Sequence, residues 1–589
     1  MSPTVPVEAS SDGTTPKEKS SYENSIDDKG EAGSYDGKPP LGVPLEKPTG
    51  GIWNRWRKRP KVNLDAIATQ PSVFDDPIKL EVYRPPPQYE NAHRFDPDAR
   101  WTWREEKRVV RKIDRWIMIW AIVMFFSLDL DRSNISQANT DNFLDDLNLN
   151  TNDFNLGNSL FRITFLIAEL PSQLISKRVG PDIWIPTQMT LWSIVALCQF
   201  WLKGRASFLA FRCILGFLQG GFIPDVVLYL SYFYTKSELP IRLAFFWVSN
   251  YLADIISAFL ATAILKMRGV GGLSGWRYLF LLEGILTLCV GLISFAMMPA
   301  GPTQTKAWYR PKGWFNEKEE TIMVNRILRD DPTKSDMHNR EGLSPRMILK
   351  ALQDWRLWPI YVVGLTHMMP VGPPQTYLTL SLRNLGFNTT ESNLLSIPST
   401  IIGMTTMVLA AFFSEMVNSR VAATIILQVW ALPLLVALYT FDRNTSQWVY
   451  YAVVTLVTGF PYVHPIQVAW ASTNSYSVGN RTVSASAYNM PKYIVTRTSL
   501  SVCGFSLLAG TVLETDHDFV NDIDKAGNRV LIGICSMNIV LYISIHFFYK
   551  YLNKRRDKTW NSWSKEEQRN YLENTKDQGS KRLDFRFAY

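Results

Sequence analysis

Apolar and polar positions are segregated along this chain. Runs of 20 or more mostly apolar residues recur between 113 and 551, whereas 1–112, 299–355 and 552–589 are polar. A helix of ~20 apolar residues crosses a bilayer core ~30 Å thick. The pattern predicts twelve such spans, at 115–136, 156–177, 183–202, 206–234, 241–265, 277–298, 356–381, 391–414, 421–441, 448–473, 482–512 and 529–550. The expected fold is an all-α polytopic membrane protein whose twelve transmembrane helices form two six-helix pseudo-repeat halves, 113–298 and 356–551. A disordered, polar N-terminal region (1–112), a central loop (299–355) and a tail (552–589) complete it. In the central loop, Asn316 and Glu319 make a capping box that starts a helix through Arg329.

Composition changes this picture little. The mean hydropathy of −0.05 would suit a soluble protein, but it averages two unlike kinds of segment. The net charge of +9 could suggest nucleic acid. The Lys and Arg residues instead cluster beside the spans: Arg104 to Arg115 before the first, a second group in the central loop, and Lys550 to Lys558 after the last. The loop between spans 1 and 2 carries Asp141, Asp145, Asp146 and Asp153 with no Lys or Arg. By the positive-inside rule both termini and the central loop are cytoplasmic, and the charge serves topology rather than a nucleic-acid partner; the plasma membrane is the expected location. All five cysteines lie in apolar segments without metal or disulfide spacing, and no cofactor is implied. No apolar stretch precedes Trp116, so no cleaved signal peptide is expected. Asn388 and Asn444 head glycosylation sequons on predicted outer loops.

Ionisable groups near a bilayer centre cost ~2.5–3.5 kcal/mol each on insertion scales, so they mark function. Span 1 ends in Leu128-Asp129-Leu130-Asp131-Arg132-Ser133-Asn134. Span 4 carries Arg212 and Gln219 on one face with Gly216 between them, leaving room for a substrate or for a close helix. Asp225 falls off that face unless the helix bends at Gly220-Gly221. Span 10, at the matching position of the second half, holds His464, Gln467 and Asn474 among Gly459, Pro461 and Pro465; such paired interruptions point to a transport site. Span 7 adds His367 and Gln375 beside Pro370, Pro373 and Pro374, and span 11 adds Asn489 and Lys492. Glu169 and Glu283 read as braces of helix packing. An enzyme is the rival class, but its best cluster, Asp516-His517-Asp518, sits on an outer loop with no second ligand group nearby.

These residues also carry a resemblance. Asp131-Arg132-Ser133-Asn134, the stretch from Phe211-Arg212 through Gln219-Gly220-Gly221-Phe222-Ile223-Pro224, and Gly275-Trp276-Arg277-Tyr278-Leu279-Phe280 with Glu283-Gly284 resemble the fungal allantoate permease family. That family belongs to the anion:cation symporters of the major facilitator superfamily, and the six-plus-six layout fits it. The central loop, with Trp314-Phe315-Asn316-Glu317-Lys318-Glu319-Glu320, is similar too, and the wording around Gln219 is closest to the sulfonate/sulfate branch. The resemblance covers about 105–550. It implies a monomeric carrier, not an enzyme, taking up a small organic or inorganic anion with protons. Proton coupling is expected at Asp131 and Asp225, and substrate binding at Arg132, Arg212, Gln219, His367, Gln375, His464, Gln467, Asn474, Asn489 and Lys492. One departure matters: many relatives have a titratable Glu where this chain has Gln219. An uncoupled facilitator or exporter, or a nutrient sensor with a transporter fold, therefore stays open.

Overall fold

The computed structural model describes residues 39–43, 63–336, 353–376, 389–417, 419–441, 445–475, 517–575 and 579–589, together with 378, 382, 387, 484 and 488. Every regular element of it is helical. In chain order they are α1 (Pro77–Tyr83), α2 (Trp103–Ile113), α3 (Ile119–Ala138), α4 (Thr151–Val179), α5 (Pro181–Cys198), α6 (Arg205–Gln219), α7 (Phe222–Leu230), α8 (Leu239–Ile264), α9 (Gly275–Met297) and α10 (Glu317–Asp330). There follow α11 (Trp358–Thr366), α12 (Gly372–Thr376), α13 (Thr389–Val417), α14 (Arg420–Thr424), α15 (Ile426–Thr440), α16 (Gln447–Thr458), α17 (His464–Asn474), α18 (His517–Ser562) and α19 (Lys565–Asn574).

Seven helical stretches among the described residues are long and apolar enough to cross a membrane. Their outward faces are bare hydrocarbon: Phe259, Val540 and Phe547 are 71%, 63% and 61% exposed. Exposed apolar surface on that scale marks contact with lipid. Several polar groups of the spans are turned the other way: Asp129, Asp131, Arg212, Gln219, Asp225 and Glu283 are all buried.

Several breaks follow from the local sequence. Span 4 is two helices, α6 and α7, divided at Gly220-Gly221. Span 10 is likewise two, α16 and α17, parted by the stretch containing Gly459 and Pro461. Span 7 is cut into α11 and α12 around Pro370. The capping box of α10 is present, Glu319 N donating to Asn316 Oδ1 at 2.8 Å and Asn316 N to Glu319 Oε2 at 3.1 Å. Within the first half α4 packs on α6, and α9 packs on both α3 and α5; between halves, α8 packs on α13 and α17.

Two polar stretches hold more structure than expected. Residues 63–112 fold onto the central loop: Arg329 of α10 grips Asp75 at 2.6 Å, Arg94 reaches Glu320 at 3.0 Å, and Lys112 reaches Glu319 at 2.7 Å. At the other end α18 runs unbroken past 551 to Ser562, and residues 579–589 return to the bundle. Charged side chains that look like solvated tails in sequence are here partners of one another across long separations.

Candidate functional site

The first-half site is built on α3, where Asp129, Asp131 and Arg132 lie within one turn and face different neighbours. Arg132 turns toward α4 and α6. Its Nε donates to Gln219 Oε1 at 3.2 Å, its Nη1 stands 3.7 Å from Asp129 Oδ1, and its guanidinium lies 5.1 Å from the Phe165 ring centroid. Its Nη2 is buried with no hydrogen-bond partner among the described residues. Asp131 turns the opposite way, into the packing of α5 and α9. It accepts from Trp192 Nε1 at 3.1 Å and from Thr287 Oγ1 at 3.5 Å. The adjacent acid and base are therefore no ion pair, and Glu283 lies beside Asp131 rather than beside a cation.

Arg212 supplies a second guanidinium, this one buried. Its Nη2 donates to Asn158 Oδ1 at 2.8 Å and it sits 4.4 Å over the Phe161 ring. Its Nε has no hydrogen-bond partner, and no carboxylate among the described residues lies within ion-pair distance of it. The nearest charges that bear on it, Arg162 and Arg132, have the same sign. An uncompensated buried cation is expensive unless something negative joins it. Gly216 does not leave open space here. A Cβ on it would lie 2.3 Å from Phe161 O and from Thr164 Oγ1, so the glycine lets α6 close on α4 and sets Arg212 against that helix.

Asp225 is not brought to this cluster by the break in span 4. It is fully buried against α4, accepting from Gln173 Nε2 at 2.6 Å and Ser172 Oγ at 3.0 Å. Ser172 in turn accepts from Trp184 Nε1 and Gln188 Nε2, at 2.9 and 2.7 Å.

In the second half His464, Gln467 and His367 do converge. Gln467 sits between two phenols, accepting from Tyr488 Oη and donating to Tyr542 Oη. Tyr488 Oη is also 3.4 Å from His464 Nδ1. His464 meets the edge of Trp247 from α8 at 5.1 Å, and His367 lies parallel to it at 6.2 Å. His367 Nδ1 donates back to Val363 O and Gly364 O, both at 3.1 Å. This face is aromatic and neutral, opposite in character to the arginine-rich first half. Gln375 is exposed on α12 and stands apart. Asn474 is also elsewhere, with both amide atoms engaged by Ala588. Asn489 and Lys492 lie outside the described residues.

Asp129, Asn158, Phe161, Phe165, Trp192, Thr287, Tyr488 and Tyr542 were not singled out by the sequence. Asp129 carries the signal of any charge in a span, and Asn158 and Phe161 stand one turn or less before Arg162; the others leave no local signal. Among the described residues no three His, Cys, Asp or Glu side chains converge as metal ligands.

The sequence profile of the Major Facilitator Superfamily matches residues 121–495. An uncharacterized transporter of Saccharomyces cerevisiae is 42% identical over 530 residues, 89% of this chain and 95% of that one. A protein of Agrobacterium vitis whose name proposes tartrate as its substrate is 28% identical over 321 residues, 54% of this chain and 69% of that one. Among solved structures, the proton:xylose symporter XylE aligns with a TM-score of 0.52 at 16% identity, covering 72% of this chain and 95% of that one.

Proposed function

The chain belongs to the Major Facilitator Superfamily and is a multi-pass membrane transporter, and we propose that it carries a small organic or inorganic anion, taken up together with protons. The observation that carries this reading is a pair of guanidiniums, half-buried Arg132 and buried Arg212, each with one buried N–H donor left over. A guanidinium holds a carboxylate, sulfonate or sulfate by parallel charge-assisted hydrogen bonds, and Phe161 and Phe165 beneath the cations exclude water. Gln219 orients Arg132, and the aromatic face around His464, Gln467 and His367 closes over the substrate from the second half. Lys492 and Asn489 belong to the same proposal. The tartrate assignment of a relative supports an anionic substrate, since tartrate is a dicarboxylate.

Proton coupling is proposed at Asp131, with Asp225 as the second candidate. Each is a buried carboxylate whose hydrogen bonds come from neutral donors, so a proton rather than a fixed cation is what can neutralise it. Halves at 113–298 and 356–551 would rock about the site, in the plasma membrane with both termini cytoplasmic. Within the superfamily we favour the allantoate permease group, sulfonate/sulfate branch included. One observation favours a second reading, an uncoupled facilitator: Gln219 is an amide where the resemblance leads one to expect a titratable acid.

Growth and uptake of an uptake-deficient host on sole sulfur, nitrogen and vitamin sources test the proposal. Accumulation of at least one anion above its outside concentration is expected. Transport confined to neutral or cationic solutes would overturn it.

A further inference from the structure

The transport site leaves unexplained why Asn474, fully buried at the end of α17, spends its whole amide on one residue of the segment 579–589. Ala588 N donates to Asn474 Oδ1 at 2.8 Å, and Asn474 Nδ2 donates back to Ala588 O at 3.1 Å. Trp470 Nε1 donates to the same carbonyl at 2.7 Å. One position earlier the arrangement repeats on α18: Phe587 N donates to Asn553 Oδ1 and Asn553 Nδ2 to Phe587 O, both at 2.9 Å. Two side-chain amides thus read the N–H and C=O of two consecutive residues, as a neighbouring strand would. The Phe587 ring supplies selectivity. It is 2% exposed, stacked 4.8 Å from Tyr549 and covered by the Arg556 guanidinium at 4.8 Å.

The other end of the segment holds the first half. Arg582 Nη2 donates to Tyr83 Oη at 3.0 Å, and Tyr83 Oη donates to Asp584. Tyr83 closes α1, which follows the Asp75 turn gripped by Arg329 of α10. Through Arg326, α10 is fixed to Glu238 at the entry of α8, at 2.9 Å. The segment therefore runs from a pocket in the second half to a scaffold fastened to the first. Arg420 Nη2, donating to Lys236 O at 3.1 Å, joins the two halves at this same end.

We propose that α17 and α18 form a peptide-binding groove whose occupant is the chain's own segment 582–589, and that this strap holds the central-loop end of the carrier shut. A carrier that works by rocking must part its halves at that end once per cycle. A contact made in only one of two states biases the equilibrium toward that state by its own free energy. Release of the strap, at either attachment, is then a step that opens the site to that side.

The test needs no substrate, so its outcome is independent of the transport proposal. Spin labels at Arg178→Cys and Arg555→Cys, two exposed positions on opposite halves, report their separation in nanodiscs by double electron–electron resonance after the native cysteines are replaced. Tyr83→Phe removes only the hydroxyl, and Arg582→Ala changes a side chain outside the bundle, so folding is preserved. Each is expected to shift the ratio of long to short distances by roughly three- to tenfold, as loss of one or two net hydrogen bonds would. Phe587→Ser is expected to do the same, and adding a free peptide of sequence 579–589 to the Arg582→Ala protein should leave the long population in place, because that peptide lacks the tether. A distance distribution unaltered in both Tyr83→Phe and Arg582→Ala would show the segment to be a brace of one half and overturn the proposal.

Discussion

Arg132 on α3 and Gln219 on α6 are joined by a 3.2 Å hydrogen bond from guanidinium Nε to amide oxygen. The bond fixes the direction of the cation without cancelling its charge, because an amide is neutral at every pH. The acid nearest to Arg132 in space is Asp129, one turn back, and not its neighbour Asp131. Asp129 stands 3.7 Å from Nη1 but Nη2 has no hydrogen-bond partner among the described residues, so the arginine keeps the capacity to offer a ligand a charge-assisted donor.

Replacing Gln219 with Glu should remove that capacity. A carboxylate at this position competes with the substrate for Arg132 and should raise the half-saturation constant for the transported anion by roughly 10- to 150-fold, the value of one charge-assisted contact. Lowering the pH, which protonates the new acid, should recover part of the loss. Uptake kinetics across pH 5 to 8 check both; an unchanged constant would remove Arg132 from the binding site.

Asp131 is read as a proton site and not as a counter-ion. Asp131→Asn can keep the acceptor toward Trp192 while its NH2 donates to the Thr287 hydroxyl, and should abolish uphill accumulation while exchange of preloaded substrate persists. Counterflow against net accumulation in proteoliposomes separates the two. Should Asp131→Asn still concentrate substrate, the coupling acid is elsewhere, with Asp225→Asn the next variant.

Much of this was legible from the residues. The breaks of spans 4, 7 and 10 follow from Gly220-Gly221, Pro370 and Gly459, and the α10 capping box from Asn316 and Glu319, because each is a rule about neighbours in the chain. That Arg132 and Arg212 turn away from lipid, Arg212 buried and Arg132 half-buried, was legible from the cost of charge in hydrocarbon. What escaped is what long separations decide. Asn474 meets Ala588 across 114 residues through a backbone contact that has no periodicity. Asp225 stays off the arginine face because Ser172 and Gln173 of α4 hold it there, a fact of packing between helices. Residues 63–112 looked like a solvated tail since their charged partners lie on α10, more than 200 residues away.

A further ion pair of α10, Arg326 with Glu238, should be a keystone of stability. Burial favours the neutral acid at Glu238, but the charge and hydrogen bonds of Arg326 outweigh it and hold Glu238 at about 2. A depressed folded-state value contributes stability above the unfolded value of ~4.3 that is lost only as pH falls toward 2. The pair should thus contribute equally across pH 5 to 8. Glu238→Gln leaves buried Arg326 with only Glu106, 3.9 Å away, as a counter-charge, and should cost on the order of 3 kcal/mol, read as a lowered melting temperature of the purified protein at every pH in that window.

Gly221 should be equally intolerant, for a steric reason. A Cβ there would lie 1.8 Å from Ser172 Oγ and 2.0 Å from Ser172 Cβ. Ser172 cannot swing aside, being bonded to Asp225, Trp184 and Gln188. Gly221→Ala should cost about 1–3 kcal/mol by overpacking and lower the melting temperature, with a further loss of proton coupling if Asp225 takes part in it. A melting curve indistinguishable from the wild type would mean that α4 and α7 are not in contact at this point.

The central claim is that two arginines of the first half, half-buried Arg132 and buried Arg212, recognise an anion. Its most direct test is binding of the best anion from the uptake panel to purified wild-type, Arg132→Lys and Arg212→Lys proteins, at fixed ionic strength. Both variants keep the charge and lose the planar fork, so each should weaken binding by roughly tenfold or more, while a neutral analogue of the same shape binds none of the three. Wild-type affinity in both lysine variants, or equal affinity for the neutral analogue, would contradict the account.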